Sequence, residues 1–111
     1  MGLRRLLIGA VLVSLTATAN AAPRAKTRFD GIRDCERLAA TQFKRHNAAF
    51  RRFTVDRSKV SVDKFDDRVG GSFVSSVYHG SATYDAGKGA DHTRFICLHG
   101  GQDALFVYTL P

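Results

Sequence analysis

The chain has 111 residues, 44% of them hydrophobic and 24% charged, with 10 Gly, 2 Pro, 2 Cys and no Trp. That length holds one small domain and excludes a doubly wound dinucleotide fold, a (β/α)₈ barrel or an α/β-hydrolase, while the evenly spread apolar residues exclude a disordered chain. Lys and Arg outnumber Asp and Glu 17 to 10, a net charge of +7.

The first residues read as an address rather than as fold. Arg4 and Arg5 precede an apolar run over 6–13, and residues 14–20 turn small and polar. Ala19-Asn20-Ala21 has the small-x-small form that a signal peptidase reads, which predicts a signal peptide over 1–21 cleaved between Ala21 and Ala22. The run is too short to span a bilayer and lacks stop-transfer flanks, so no transmembrane anchor is expected. No Cys stands near the cleavage site to carry a lipid. The general secretory route and a periplasmic or secreted location follow. Cleavage leaves 90 residues with a net charge of +5.

Residues 22–29, with Pro23, Arg24, Lys26 and Arg28, read as a flexible basic lead-in to a single domain over 30–111. Asp30 is the expected helix N-cap. From Ile32 the stripe Ile32, Cys35, Ala39, Phe43, His46, Phe50 and Phe53 recurs every three or four residues, which predicts an amphipathic helix over roughly 31–51. The period then changes to two. Val60 and Val62 alternate with polar residues as a strand, and Asp66-Asp67-Arg68 is the expected turn. After Gly70-Gly71 come a second strand over 72–84, a Gly-rich loop over 85–91, a third strand over 93–99, a Gly100-Gly101 connection and a last strand over 104–110. Short connections favour sequential antiparallel pairing. The expectation is an α+β domain: one helix packed on a roughly four-stranded antiparallel meander.

Export changes the reading of Cys35 and Cys97. In an oxidising compartment an even pair in a short chain points to a disulfide. It closes a loop of roughly 60 residues, worth about 4 kcal/mol in the chain-entropy model. Cys35 lies on the apolar helix stripe and Cys97 shares a strand face with Phe95, so the bond staples helix to sheet. The competing reading is a reactive thiol or a metal ligand, but Cys97-x-His99 alone is half a zinc site at best.

The charge is uneven: residues 22–68 hold +6 and residues 69–111 hold −1. At 100° per residue Arg33, Arg37, Lys44 and Arg51 fall on one broad side of the expected helix, bordered by Arg45 and Arg52. Such a face either binds a polyanion by point charges and counterion release or is the solvated side that any amphipathic helix needs. In a cell envelope the polyanion is an anionic lipid, a lipopolysaccharide phosphate or an acidic protein; nucleic acid does not suit the compartment.

No catalytic constellation emerges. His46 falls on the helix's apolar side, where a hydrogen-bonded core-edge His is the simpler reading than a ligand. His79 and His92 flank the 85–91 loop and, with Asp85, form the one combination that supports an alternative metal-binding or hydrolytic reading. Their spacing matches no known metal motif. His99-Gly100-Gly101 echoes an esterase oxyanion segment, but no G-x-S-x-G accompanies it. Asp66 and Asp67, being adjacent, point to opposite faces of a strand. No cofactor is expected.

Gly80-Ser81-Ala82-Thr83-Tyr84 and Phe95-Ile96-Cys97, behind a helix carrying one Cys, resemble a group of small exported Gram-negative proteins of unknown function. The resemblance covers most of the mature chain. It implies a disulfide and a periplasmic or secreted location, and it transfers no catalytic residue. The reading is therefore a non-enzymatic exported binding protein. Besides the metal alternative stands an accessory subunit or inhibitor that pairs through a sheet edge.

Overall fold

The computed structural model describes residues 26–110; the expected signal peptide, its cleavage site and lead-in residues 22–25 lie outside them. The elements are α1 (Arg28–His46), β1 (Arg52–Val69), β2 (Ser72–Asp85), β3 (Ala90–His99) and β4 (Ala104–Leu110). The four strands form one antiparallel meander in the order β1-β2-β3-β4. The expected α+β class, helix on sheet with a helix-to-sheet disulfide, is what the chain adopts.

The helix begins earlier than the sequence led us to expect. Thr27, not Asp30, is the N-cap: its hydroxyl accepts the Asp30 N–H while the Asp30 carboxylate accepts the Thr27 N–H. This capping box satisfies two donors that the first turn would otherwise leave bare. The helix therefore starts at Arg28, two residues ahead of the expected domain start at Asp30. The Arg28 guanidinium donates to the Val60 carbonyl, and Lys26 bonds Asp34.

The helix also ends earlier, at His46. Asn47 is extended, its side-chain oxygen accepts the Ala49 N–H, its amide donates to the Ala86 carbonyl, and its own carbonyl accepts the Phe50 N–H. A side chain that offers the backbone such partners competes with further helix. Phe50 and Phe53 continue the helical spacing but reach the core from the connection and from β1. Phe43 meets Phe50, Phe53 and Tyr84 edge-on at centroid distances of 5.6, 5.8 and 5.3 Å, and Phe53 meets Phe95 at 5.8 Å. Arg51 and Arg52 consequently leave the helix.

Asp66-Asp67-Arg68 is not a turn. β1 runs through it with a bulge between Lys64 and Asp67, where Asp66 takes φ 52°, and the chain reverses at Gly70-Gly71. A second bulge, between Val55 and Val60, lays the β1 backbone across Gly80. A Cβ there would lie 2.0 Å from the Lys59 carbonyl oxygen, so only glycine fits.

The inner face of the sheet carries Val74, Tyr78 and Ala82 of β2, Phe95 and Cys97 of β3, and Val107 of β4, all buried with Ile32, Cys35 and Ala39 of α1. Tyr78 packs so closely on α1 that a Cβ at Gly31 would stand 1.8 Å from its hydroxyl. The helix lies chiefly on the two outer strands, β4 and β1, so the sheet curves around it. Helix side chains also take up backbone groups of both outer strands. Gln42 donates to the Val107 carbonyl at 3.1 Å and accepts its N–H at 3.2 Å. Glu36 accepts the Val55 N–H at 2.8 Å. These side chains stand where a further strand would pair.

Candidate functional site

The fold brings the chemistry-bearing residues into three places. The first is buried between helix and sheet. Cys35 and Cys97 are bonded, with a Cα–Cα distance of 6.1 Å across a separation of 62 residues. One residue before Cys35 and two after Cys97, Asp34 and His99 meet: His99 Nε2 lies 2.9 Å from Asp34 Oδ2, and the two residues are 2% and 9% exposed. Alternation along β3 puts His99 on the same inner face as Cys97. The Gly101 N–H donates to His99 Nδ1 at 3.0 Å, so the ring's proton sits on Nε2 and is given to Asp34. Lys26 Nζ also donates to Asp34 Oδ2 at 2.9 Å, and an Arg37 nitrogen stands 3.7 Å from Oδ1.

Burial pushes the Asp34 carboxyl up, but the hydrogen bonds from His99 and Lys26 outweigh it and hold the group below its ordinary range. The same balance holds at Glu36, where burial is outweighed by the two-pronged Arg57 contact at 2.7 and 2.9 Å and by the Val55 N–H. The Asp34–His99 pair looks like half of a catalytic triad, yet it is closed: both ring nitrogens are engaged within the fold. Catalysis needs a ring nitrogen free to take a proton from a reacting group. As placed, the pair ties α1 to the end of β3 beside the disulfide. Sequence reading missed this pair; the available signal was a charged residue, Asp34, directly before Cys35 of the apolar stripe.

The second place is the basic end. Of the expected basic face, Arg33, Arg37, Lys44 and Arg45 are on α1 and exposed. Arg51 and Arg52 are exposed just beyond it, where the Arg51 N–H donates to the Asp85 carbonyl and Arg52 pairs with Asp85 at the start of β1. The side chains of Lys44, Arg45, Arg51 and Arg52 have no hydrogen bond or ion pair among the described residues. Lys44, Arg45 and His46 lie in the last helical turn, where they also offset the negative end of the helix dipole.

The third place is the outer face of the sheet. His79 and His92, which were grouped with Asp85, do not converge. His79 pairs with Ile96 and His92 with Thr83, four positions apart along the strands. His79 Nε2 instead lies 2.8 Å from Asp63 Oδ2, and the Asp85 carboxylate accepts the Gly87 N–H. Among the described residues no group of three or more His, Cys, Asp or Glu is placed to hold a metal ion. His92 belongs to a different grouping. A cavity of about 450 Å³ opens beside the first β1 bulge, lined by Asp56, Lys59, Ser81, Thr83, His92 and Arg94 among others. No spacing in the sequence announces it, because the bulge that brings Lys59 there is visible only in the register.

No helix among the described residues is long and apolar enough to cross a membrane. Comparison of the chain with protein-family models, with curated proteins and with solved structures finds no match.

Proposed function

We infer that this is an exported, non-enzymatic binding domain that engages an anionic envelope component or an acidic protein through its basic end. The carrying observation is that Lys44, Arg45, Arg51 and Arg52 are exposed together at the junction of α1 and β1 with no internal partner. Cations that a fold does not use internally remain free to exchange their counterions for a polyanion. The helix-to-sheet disulfide supports an oxidising compartment, since such bonds persist there and are rare in a reducing cytosol. The closed Asp34–His99 pair supports a binding rather than a catalytic role for the inner layer. At Val107 of the β4 edge, Gln42 already occupies both backbone groups, which disfavours pairing with a partner strand there.

The test is co-sedimentation with vesicles rich in phosphatidylglycerol at low salt. The wild type should bind, and binding should fall as salt rises. The variant carrying Lys44→Glu, Arg45→Glu and Arg51→Glu should lose it while unfolding within a few degrees of the wild type. Unchanged binding by that variant would retire the electrostatic reading.

A further inference from the structure

The outer face of the sheet departs from what a one-helix, one-sheet domain requires. An antiparallel sheet covered on one side normally turns polar residues to the other. Here cross-strand register sets largely apolar rows, interrupted at His79, which pairs with Asp63. Val77, Leu98 and Phe106 form one row, and His79, Ile96 and Tyr108 the next. These positions alternate with the buried Tyr78, Cys97 and Val107, so they point away from the helix. Phe106 and Tyr108, 40% and 56% exposed, are in ring contact at 4.4 Å.

Followed toward the start of β3, the same face changes character. The row after Ile96 holds Ser81, Arg94 and Leu110, and beyond it lie Thr83 and His92. Lys59 arrives from the bulge of β1, so Lys59, His92 and Arg94 surround one cavity with the Ser81 and Thr83 hydroxyls. None of the three basic side chains has a hydrogen bond or ion pair among the described residues. The one carboxylate in the wall, Asp56, accepts the Ser58 N–H at 3.0 Å and the Ser58 hydroxyl at 2.7 Å and is also near enough to Lys59 and His92 to feel their charge, which leaves Arg94 as the cation with no carboxylate beside it. A second hollow of about 290 Å³ adjoins the first through Ser81 and Arg94 and is lined by Val77, Ile96 and Leu110 among others.

We propose that this face is a binding groove for a monomeric anionic amphiphile, its carboxylate or phosphate held by Lys59, His92 and Arg94 and its apolar chain laid along Ile96, Tyr108 and Leu110. The charge at one end selects the occupant. An uncharged apolar ligand would leave Arg94 unanswered, and a second copy of the chain would bring the same basic side chains against it. The hydroxyls supply the neutral donors that an oxyanion takes in addition to its counter-charges. The groove is separate from the Lys44, Arg45 and Arg51 cluster and does not depend on it.

The test uses the oxidised protein and two probes below their micelle concentrations, dodecanoate and dodecyl phosphate, followed by amide NMR. Saturable shifts from at least one probe, centred on 77–81, 92–96 and 108–110, are expected, and which probe binds tells the two head groups apart. Acetate and inorganic phosphate lack the chain and dodecyl maltoside lacks the charge; each should bind more weakly by about tenfold or more. Arg94→Glu should weaken the best probe by about tenfold and Ile96→Ser by several-fold, with unfolding temperatures within a few degrees of the wild type. Equal binding of dodecyl maltoside would overturn the proposal. So would shifts confined to residues 44–52, binding to vesicles but to neither monomeric probe, or a ligand-free dimer that buries Tyr108.

Discussion

The two faces of the sheet are built from the same strands and differ in nearly everything else. On the inner face the charged and backbone groups at the helix are answered: Asp34 by Lys26 and His99, His99 by Asp34 and Gly101, Val107 by Gln42. A disulfide crosses that face, and three aromatic rings, Phe50, Phe53 and Tyr84, close its far end around Phe43. On the outer face the side chains of Arg94, His92 and Lys59 make no hydrogen bond or ion pair among the described residues, with the Asp56 carboxylate near Lys59 and His92, and Phe106 and Tyr108 are 40% and 56% exposed. Groups that are mutually satisfied contribute to holding a fold; groups left unsatisfied at a surface are free to contribute to recognition. A reader looking for chemistry is drawn first to the buried Asp–His pair. The contrast teaches that this pair is spent on the fold, and that the less motif-like face has the open valences.

The contrast breaks most easily at the staple. Replacing both cysteines, Cys35→Ser with Cys97→Ser, should cost about 4 kcal/mol, since the bond closes a long loop in the unfolded chain. Urea unfolding of the oxidised wild type and the double variant measures it. A loss under about 1 kcal/mol would mean that the inner layer does not rely on its covalent link.

Asp34→Ala is the next largest effect. It leaves His99 and Lys26 beside an empty acceptor, and the expected cost is about 2–3 kcal/mol by thermal or urea unfolding. The pH dependence sharpens the point. The carboxyls of Asp34 and Glu36 are held below their ordinary range in the folded state. A carboxyl so lowered stabilises the fold above its unfolded value, about pH 4, and that stability is lost as pH falls through the lower folded value. Asp34→Asn should therefore flatten the acid limb of the stability curve. An acid limb unchanged by that substitution would show that the network does not hold the helix.

On the other face the expected effect is close to zero. Tyr108→Ser removes a half-exposed ring from an uncovered surface and should change stability by no more than about 0.5 kcal/mol. A loss comparable to that of Asp34→Ala would make the outer face part of the core and erase the distinction.

Much of the fold was legible in the sequence, for identifiable reasons. The change of period from three-and-four to two located the switch from helix to sheet, and the Gly100-Gly101 pair located the last connection. The limits were local. Phe50 and Phe53 extended the helical spacing past Asn47 because core positions recur at similar intervals whichever element delivers them. The capping box was invisible once Asp30 had been taken as the cap, since Thr27 and Asp30 each fit the role alone. Asp66-Asp67-Arg68 has turn composition, but a bulge uses the same residues without reversing the chain. The candidate sites were harder to read. Arg94 and His92 acquire a common face only through the β2–β3 register, and Lys59 joins them only through a bulge. The Asp34–His99 contact spans 65 residues. What did show in the sequence was the staple itself, because two cysteines allow one pairing.

That bond fastens the inner layer and fits the chain to an oxidising compartment, so it is where measurement bears most directly. Non-reducing peptide mapping with intact mass, on protein recovered from its natural host, should find Cys35 joined to Cys97 in a chain that begins at Ala22. A full-length chain with two alkylatable thiols would contradict both the fastening of helix to sheet and the export.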